Sequence, residues 1–362
     1  MTTDNRTLVI WLSCVCAAVY LMVVVGGVTR LTQSGLSMVD WRPLMGVIPP
    51  LSAEDWQQTF EAYKQYPEYQ KINRGMDLEE FKSIFYWEYG HRLLGRIIGL
   101  IYFIPFIILM ALGRIEKKWM PRLWIGLFLG GLQGLMGWYM VKSGLVDVPH
   151  VSHFRLAAHL LLAIFIFAFL FWLILDLLAV KRVAVPKIIR RTTVVLLLLL
   201  GVQLLFGAFT AGLDAGYGFN TYPLMHGQFL ADAAVMIQPL WRNFIENGVM
   251  MQFVHRWVGA LLLAGVVFLV ILSWKGRLLR LPMCVLLGVT GLQFLLGVAT
   301  LLLRVPVVLG SLHQAVACLM VLVFVYVVYV ARSPEAVRIS AAPVLTLCAV
   351  PPSRASTLSR SP

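Results

Sequence analysis

Eight long apolar stretches separated by polar segments dominate this sequence of 362 residues. Each stretch approaches or reaches the roughly 17 to 25 residues that an α-helix needs to cross the apolar core of a bilayer. Hydrophobic residues make up 60% of the chain and charged residues 13%, against roughly 45–50% and about 25% in soluble domains. We therefore predict an all-α integral membrane protein. The predicted spans are residues 8–29, 92–113, 122–141, 155–179, 191–212, 253–273, 281–303 and 311–331.

The positive charges of the chain are placed in alternate loops. The net charge is +13, and basic residues fill the connections after the second, fourth and sixth predicted spans. Short loops rich in Lys and Arg stay in the cytoplasm, so we expect both termini there and the acidic first loop outside. The charge therefore indicates membrane orientation rather than nucleic acid binding. We expect the first apolar stretch to be retained as a helix, because it lacks a small-residue cleavage site.

The two halves of the chain repeat the same motifs in the same order. Each half contains four predicted spans, which is an even number, so both halves cross the membrane in the same direction. We predict two parallel-repeat four-helix bundles, residues 8–179 and 191–331, followed by a disordered cytoplasmic tail, residues 332–362. The repeated motifs include Gly131-Leu132-Gln133 with Gly137, which recurs as Gly291-Leu292-Gln293 with Gly297, and His91-Arg92, which recurs as His255-Arg256.

Four of the seven histidines occupy equivalent positions in the two halves, at or near the outer start of every second span. Two histidines on different helices of one bundle can clamp a metal ion or a macrocycle between them. Zinc and di-iron centres usually include Cys or carboxylate ligands beside histidine, whereas haem iron needs only axial ligands and apolar walls. We therefore predict one haem in each bundle. The four histidines are His91, His159, His255 and His313.

The remaining histidines and two arginines allow more than one interpretation. His150, His153 and His226 are predicted to lie in outer loops, in water or beside haem propionates. Arg92 and Arg256 directly follow two of the predicted ligands. They either extend to the membrane surface or pair with haem propionates, which suit the guanidinium group. The sequence leaves these two alternatives open.

One position separates the two halves chemically. Glu88 stands three residues before His91, whereas Gln252 stands three residues before His255. Residues three apart share a helix face, so the Glu88 carboxylate should face the same ligand as His91. It could transfer a proton or stabilise a developing positive charge. The alternative is a carboxylate that only caps the start of its helix. We expect the catalytic role, because the repeat preserves the His-Arg pair and changes this residue.

Several motifs together carry a family resemblance that spans about residues 8 to 331. They are Gly26-Gly27-Val28-Thr29-Arg30-Leu31-Thr32, Ser34-Gly35-Leu36-Ser37, Trp41-Arg42-Pro43, Glu88-Tyr89-Gly90-His91-Arg92, His159 and His255-Arg256-Trp257. The chain resembles the heme A synthase family, in the subgroup without cysteine pairs in the outer loops. The resemblance implies an oxidoreductase of cytochrome oxidase assembly that converts a methyl group of heme O, through an alcohol and a geminal diol, to the formyl group of heme A.

The resemblance also implies roles for individual residues. His91 and His159 would hold the substrate heme O, with Glu88 beside it. His255 and His313 would be the axial ligands of a haem B cofactor that passes electrons. The implied location is the inner (plasma) membrane of a bacterium, in contact with lipid. The expected partners are heme O synthase, an electron donor and a second copy of the chain.

Two other functions remain open at this point. A cytochrome b with two permanent bis-histidine haems, oxidising a quinol, would need the same four ligands. A transporter with parallel repeats would share the architecture, but such proteins usually have broken helices and ionisable groups near the midplane. The histidines of this chain cluster toward the outer end instead.

Overall fold

The computed structural model describes residues 3–39, 47–144, 151–274, 276 and 279–332. Within them, eight α-helices are long and apolar enough to cross a membrane. Short helices α2, α3 and α8 lie in the loops. In chain order the α-helices are α1 Thr3–Leu31, α2 Ala53–Lys64, α3 Pro67–Lys71, α4 Leu78–Ala111, α5 Met120–Gly144, α6 His153–Leu177, α7 Lys187–Gly212, α8 Asn243–Glu246, α9 Gly248–Ser273, α10 Arg280–Leu302 and α11 Val307–Val330.

Helices α1, α6, α7 and α11 pack against one another at the centre of the molecule. Helices α4 and α5 pack on α1 and α6, and helices α9 and α10 pack on α7 and α11. We call the end that carries loops 112–119 and 178–186 the basic end, and the opposite end the histidine end. The apolar core is densest toward the basic end, where Leu12, Leu170, Leu200 and Phe324 are buried.

A short parallel pair of strands and a hydrogen bond connect the two halves at the basic end. Strand β1, Val183–Ala184, runs parallel to strand β2, Ala331–Arg332. The Tyr329 hydroxyl donates a hydrogen bond to the Asp176 carboxylate over 2.9 Å. The tail predicted to be disordered lies outside the described residues, apart from residue 332.

The halves are also joined at the histidine end. The Arg30 guanidinium at the end of α1 forms an ion pair of 2.7 Å with Asp214, which follows α7. His153 at the start of α6 lies with its Nε2 2.7 Å from the Ile245 carbonyl oxygen. His153 was predicted to lie in an outer loop, but its ring is part of this contact between the halves.

Helix α4 begins much earlier than its apolar sequence predicts. The predicted start was residue 92, but the helix begins at Leu78, where Asp77 and Glu80 form a capping box. The extra turns carry Phe81 and Phe85, which are buried against α2 rather than exposed to lipid. Because these turns are amphipathic, a search for continuous apolar sequence does not detect them. His91 therefore lies well inside a helix and not at its start.

The first loop at the histidine end contains a short surface helix, α2. Helix α2 begins after Ser52, whose hydroxyl accepts from the Asp55 backbone while the Asp55 carboxylate accepts from the Ser52 backbone. Its aromatic residues pack on the start of α4 in a group that we call the outer aromatic cluster. Its buried members are Trp56, Phe60, Tyr63, Phe81 and Phe85.

Candidate functional site

The second half of the chain brings two predicted ligands together. The rings of His255 on α9 and His313 on α11 have centroids 6.4 Å apart and planes at 85°. A metal ion bound about 2 Å from one nitrogen of each ring would place the centroids roughly 6 Å apart. The two histidines therefore have the separation that the axial ligands of one haem iron require. This part of the second half fits a haem.

Neighbouring amide groups fix the orientation of these rings. His255 Nδ1 donates a hydrogen bond of 3.1 Å to the Gln203 carbonyl oxygen. A ligating histidine usually donates its other ring N–H in this way, which orients the ring and selects its tautomer. The Gln293 amide nitrogen lies 3.3 Å from His313 Nε2. His313 Nδ1 is buried and has no hydrogen-bond partner among the described residues.

The first half holds its two histidines in a related way. His91 lies on α4 and His159 on α6. The Gln133 amide nitrogen lies 3.2 Å from His159 Nδ1 and donates to the His159 carbonyl oxygen over 3.1 Å. His91 Nδ1 is buried without a hydrogen-bond partner among the described residues.

Each of the four histidine rings lies against a glycine of a neighbouring helix. An ideal Cβ on any of these glycines would stand only 2.8 to 3.0 Å from the Cε1 atom of the ring. Real Cβ atoms essentially never come closer than 3.0 Å, so a larger residue would force the ring to move. The four pairs are Gly26 with His91, Gly137 with His159, Gly207 with His255 and Gly297 with His313.

These glycines and the glutamines beside the rings were not predicted as site residues. Gln133 and Gln293 belong to the repeated Gly-Leu-Gln motif, so the repeat contained the signal. The repeat alone does not show that each motif faces a histidine. That information depends on which helices are neighbours, and only the structure gives it.

The Glu88 carboxylate is buried and surrounded by hydrogen-bond donors. It is 2% exposed, and its Oε2 accepts from the Ser37 hydroxyl over 2.8 Å and from the Met38 backbone over 2.7 Å. Its Oε1 accepts from Arg92 at 2.5 Å, and Arg92 also donates to the Met38 carbonyl oxygen over 2.9 Å. Glu88 and Arg92 therefore hold the segment that follows α1.

Gln252 and Arg256 make the corresponding contacts in the second half. The Gln252 amide donates to the carbonyl oxygens of Ala215 and Gly218, each over 2.8 Å. Arg256 donates to Gln252 Oε1 over 2.9 Å and to the Thr221 carbonyl oxygen over 2.6 Å. Each half thus uses one residue pair on its second spanning helix to hold the loop after its first. A neutral amide is sufficient for this task in the second half.

The side chains of the two arginines that follow predicted ligands are largely buried. The Arg92 side chain is 10% exposed, and Arg256 is 8% exposed. Both guanidinium groups donate to loop carbonyl oxygens, so holding a loop is a role that the sequence did not predict. Pairing with haem propionates stays a prediction for both. Of the loop histidines, His226 is exposed and its ring lies against Phe219, and His150 lies outside the described residues.

A second buried carboxylate lies in the loop near Glu88. Glu68 on α3 is 6% exposed, and its Oε2 has no hydrogen-bond partner among the described residues. Burial and, to a smaller extent, the charge of Glu88 raise the pKa of Glu68 to about 8, although a hydrogen bond from Tyr63 acts in the opposite direction. Glu68 is therefore mostly protonated at neutral pH in the folded protein.

This protonation makes the stability of the outer loop depend on pH. Because the folded pKa lies above the ordinary value of 4.5, the unfolded chain loses its proton first as the pH rises. The free energy of unfolding should fall by about 1.4 kcal/mol per pH unit between the two values. Glu68→Gln should remove this slope, as measured by thermal unfolding in detergent between about pH 6 and about pH 8. Asn73→Ala, which removes the amide that donates to the Tyr63 hydroxyl, should keep it. An equal slope in Glu68→Gln and the parent would contradict the assignment.

Comparison with known proteins gives a consistent result along nearly the whole chain. Residues 9–325 match the family described as cytochrome oxidase assembly protein. The chain is 48% identical over 328 residues to the heme A synthase of Nitrosospira multiformis, covering 87% of this chain and 91% of that protein. It is 45% identical over 314 residues to the heme A synthase of Parvibaculum lavamentivorans, covering 86% and 90%. It is also 45% identical over 344 residues to that of Nitrosomonas eutropha, covering 91% and 94%.

Proposed function

This chain belongs to the heme A synthase family of cytochrome oxidase assembly proteins, and we propose that it oxidises a methyl group of heme O to the formyl group of heme A. This proposal rests on one observation: the two sites match each other except at one residue, which is Glu88 in the first half and Gln252 in the second. Both halves have two histidines, each against a glycine, and a residue pair that holds the adjacent loop. Only the first half has a carboxylate in that pair.

The first half is proposed as the substrate site. His91 and His159 would bind the iron of heme O and fix the position of the macrocycle. Glu88 is proposed as the residue that takes up a proton or stabilises positive charge during methyl oxidation. Arg92 keeps the Glu88 carboxylate in place through their ion pair. The covered, buried position of this carboxylate excludes bulk water, which strengthens its electrostatic effect on a nearby reacting group.

The second half is proposed as the cofactor site. His255 and His313 would hold haem B, which supplies one-electron transfer when it is bound. The ring of His255 is oriented by the Gln203 carbonyl oxygen, and an oriented ring keeps its ligating nitrogen pointed at the iron. A second haem that stays bound while the first is converted explains why the two halves differ at one carboxylate and agree at their ligands.

We further propose a membrane location and a set of partners. The chain is a multi-pass membrane protein, and the basic loops favour the inner membrane of a bacterium with both termini in the cytoplasm. The histidine end would then face outward. Heme O synthase would deliver the substrate, a separate electron donor would serve the haem B, and a second copy of the chain could associate with the first.

The proposed function is tested by identifying the haems themselves. The purified protein should contain haem B when it is produced without heme O synthase. Co-production with that enzyme should add heme O and heme A, identified by extraction and mass. Two haems of type B under both conditions would support the quinol-oxidising cytochrome b instead. The absence of haem absorption bands under both conditions would exclude both functions.

A further inference from the structure

Helices α4 and α5 touch each other mainly toward the basic end. There the Tyr102 hydroxyl donates to the Leu123 carbonyl oxygen over 2.7 Å. The rings of Phe106 and Trp124 meet edge to face with centroids 4.9 Å apart. An ideal Cβ on Gly126 would collide with Tyr102. The two helices are therefore packed tightly at this end.

Toward the histidine end, two glycines of helix α5 have open space beside them. Gly130 and Gly134 are exposed, and no atom of the described residues lies within 4 Å of an ideal Cβ on either. They share one helix face with Gly137, because the three are spaced four and three residues apart. That face carries the contact to the His159 ring. An open strip thus leads along α5 to the proposed substrate site.

The corresponding positions of the second half are filled. The repeated Gly-Leu-Gln motif aligns Gly130 with Thr290 and Gly134 with Phe294. Thr290 is buried, and the Phe294 ring packs against Tyr222 with centroids 5.9 Å apart. In the most apolar part of each helix, 6% of the residues of α5 are buried, compared with 22% of the residues of α10. Helices α9 and α10 also pack more extensively than α4 and α5. At these two matched positions the second half has the larger side chains.

We propose that the space between α4 and α5 is a lateral portal through which heme O passes from the bilayer, and that Gly130 and Gly134 accommodate its isoprenoid chain. This inference rests on the proposed function. Heme O differs from haem B by this long apolar substituent. Moving each CH₂ group of such a chain from lipid into water would cost about 0.8 kcal/mol, so a route that never leaves the apolar phase is favoured. Haem B has no such chain, and Thr290 and Phe294 fill the corresponding space.

The test transfers the residues of the second half into the first. Gly134→Phe should lower heme A formation about tenfold or more, because an added ring obstructs the isoprenoid chain. Its haem B content should equal that of the parent, since the second half is unchanged. Gly130→Thr should reduce heme A formation in the same direction by a smaller factor. Heme O, heme A and haem B are all extracted and quantified from the same purified sample.

Leu135→Phe is the matched control. The Leu135 side chain is 58% exposed on the same helix, and it points away from the glycine face by more than a third of a turn, about 130°. We expect this variant to form heme A at the parental rate. An equal loss in Leu135→Phe and Gly134→Phe would overturn the portal, and so would a parental rate in Gly134→Phe.

Failure of the proposed function gives a different result. In that case the parent itself forms no heme A when heme O is supplied, whatever residue stands at position 134. Loss of haem B from Gly134→Phe would show that this variant is misfolded. Heme A formation by Gly130→Thr is then the measurement that tests the portal. Parental heme A formation by Gly130→Thr would then overturn the portal, and a reduced rate with normal haem B would support it.

Discussion

Replacing Glu88 with glutamine is expected to lower heme A formation by a factor of about 10² to 10⁴, the range typical of a lost acid–base group. The substitution keeps the size of the side chain but removes its charge and its ability to exchange a proton. The four histidines are unchanged, so both haems should still bind. Heme A formed per bound heme O is the quantity to measure, with haem content determined in the same samples.

Two control variants distinguish a catalytic role of Glu88 from a role in holding the loop after α1. Ser37→Ala removes one of the hydrogen bonds to the Glu88 carboxylate but keeps the charge, so it should cost much less activity than Glu88→Gln. Gln252→Ala loosens the matching loop of the second half and should not mimic the Glu88 effect. The proposed role is wrong if Glu88→Gln forms heme A like the parent. It is equally wrong if Ser37→Ala loses as much activity as Glu88→Gln, because Glu88 would then act only through the loop.

Replacing His313 with alanine is expected to remove most of the haem from the second half. The haem there would lose one of its two axial ligands, and its occupancy should fall about tenfold or more. Heme O should still bind to the first half through His91 and His159. Its conversion should stop, because the electrons proposed to arrive through haem B no longer do so. The readouts are extracted haem B per chain and the low-spin absorption spectrum.

A smaller substitution tests the same site through packing. Gly297→Ala places a Cβ 2.9 Å from the His313 ring, so the ring must shift and haem B retention should fall by a smaller factor than in His313→Ala. Gly288→Ala is the control, since Gly288 is an exposed glycine of the same helix with no described atom within 4 Å of an ideal Cβ. Full haem B content in His313→Ala would show that this histidine is not a ligand.

Most of the fold could be predicted because each span is apolar along its whole length. Seven of the eight predicted spans agree with the observed helices to within about five residues at each end. The start of α4 was placed too late, since its first turns mix polar and aromatic residues. For α4, the missing information was the packing of Phe81 and Phe85 on α2. That contact is between segments far apart in sequence, so local hydropathy does not contain it.

The site could be predicted only as a set of residue types. The repeat identified His91, His159, His255, His313 and Glu88. It did not identify the glycines that face the rings, because the contact partner of a helical residue depends on which helix lies beside it. It left Arg92 and Arg256 between haem propionates and the membrane surface, and it did not predict that both also donate to loop carbonyl oxygens.

The sequence by itself determined that this chain is a membrane protein, that it has eight spans and that its two halves carry matched histidines. Those properties follow from local hydropathy and from spacing along the chain. Only the tertiary structure decided that His255 and His313 have the separation of axial ligands, and that Glu88 is buried among donors. It also decided that Gly130 and Gly134 of α5 have open space beside them, whereas Thr290 and Phe294 at the matched positions of α10 are packed. Each of these is a relation between helices, and in a bilayer such relations are set by how closely side chains of adjacent helices fit, which no single span encodes.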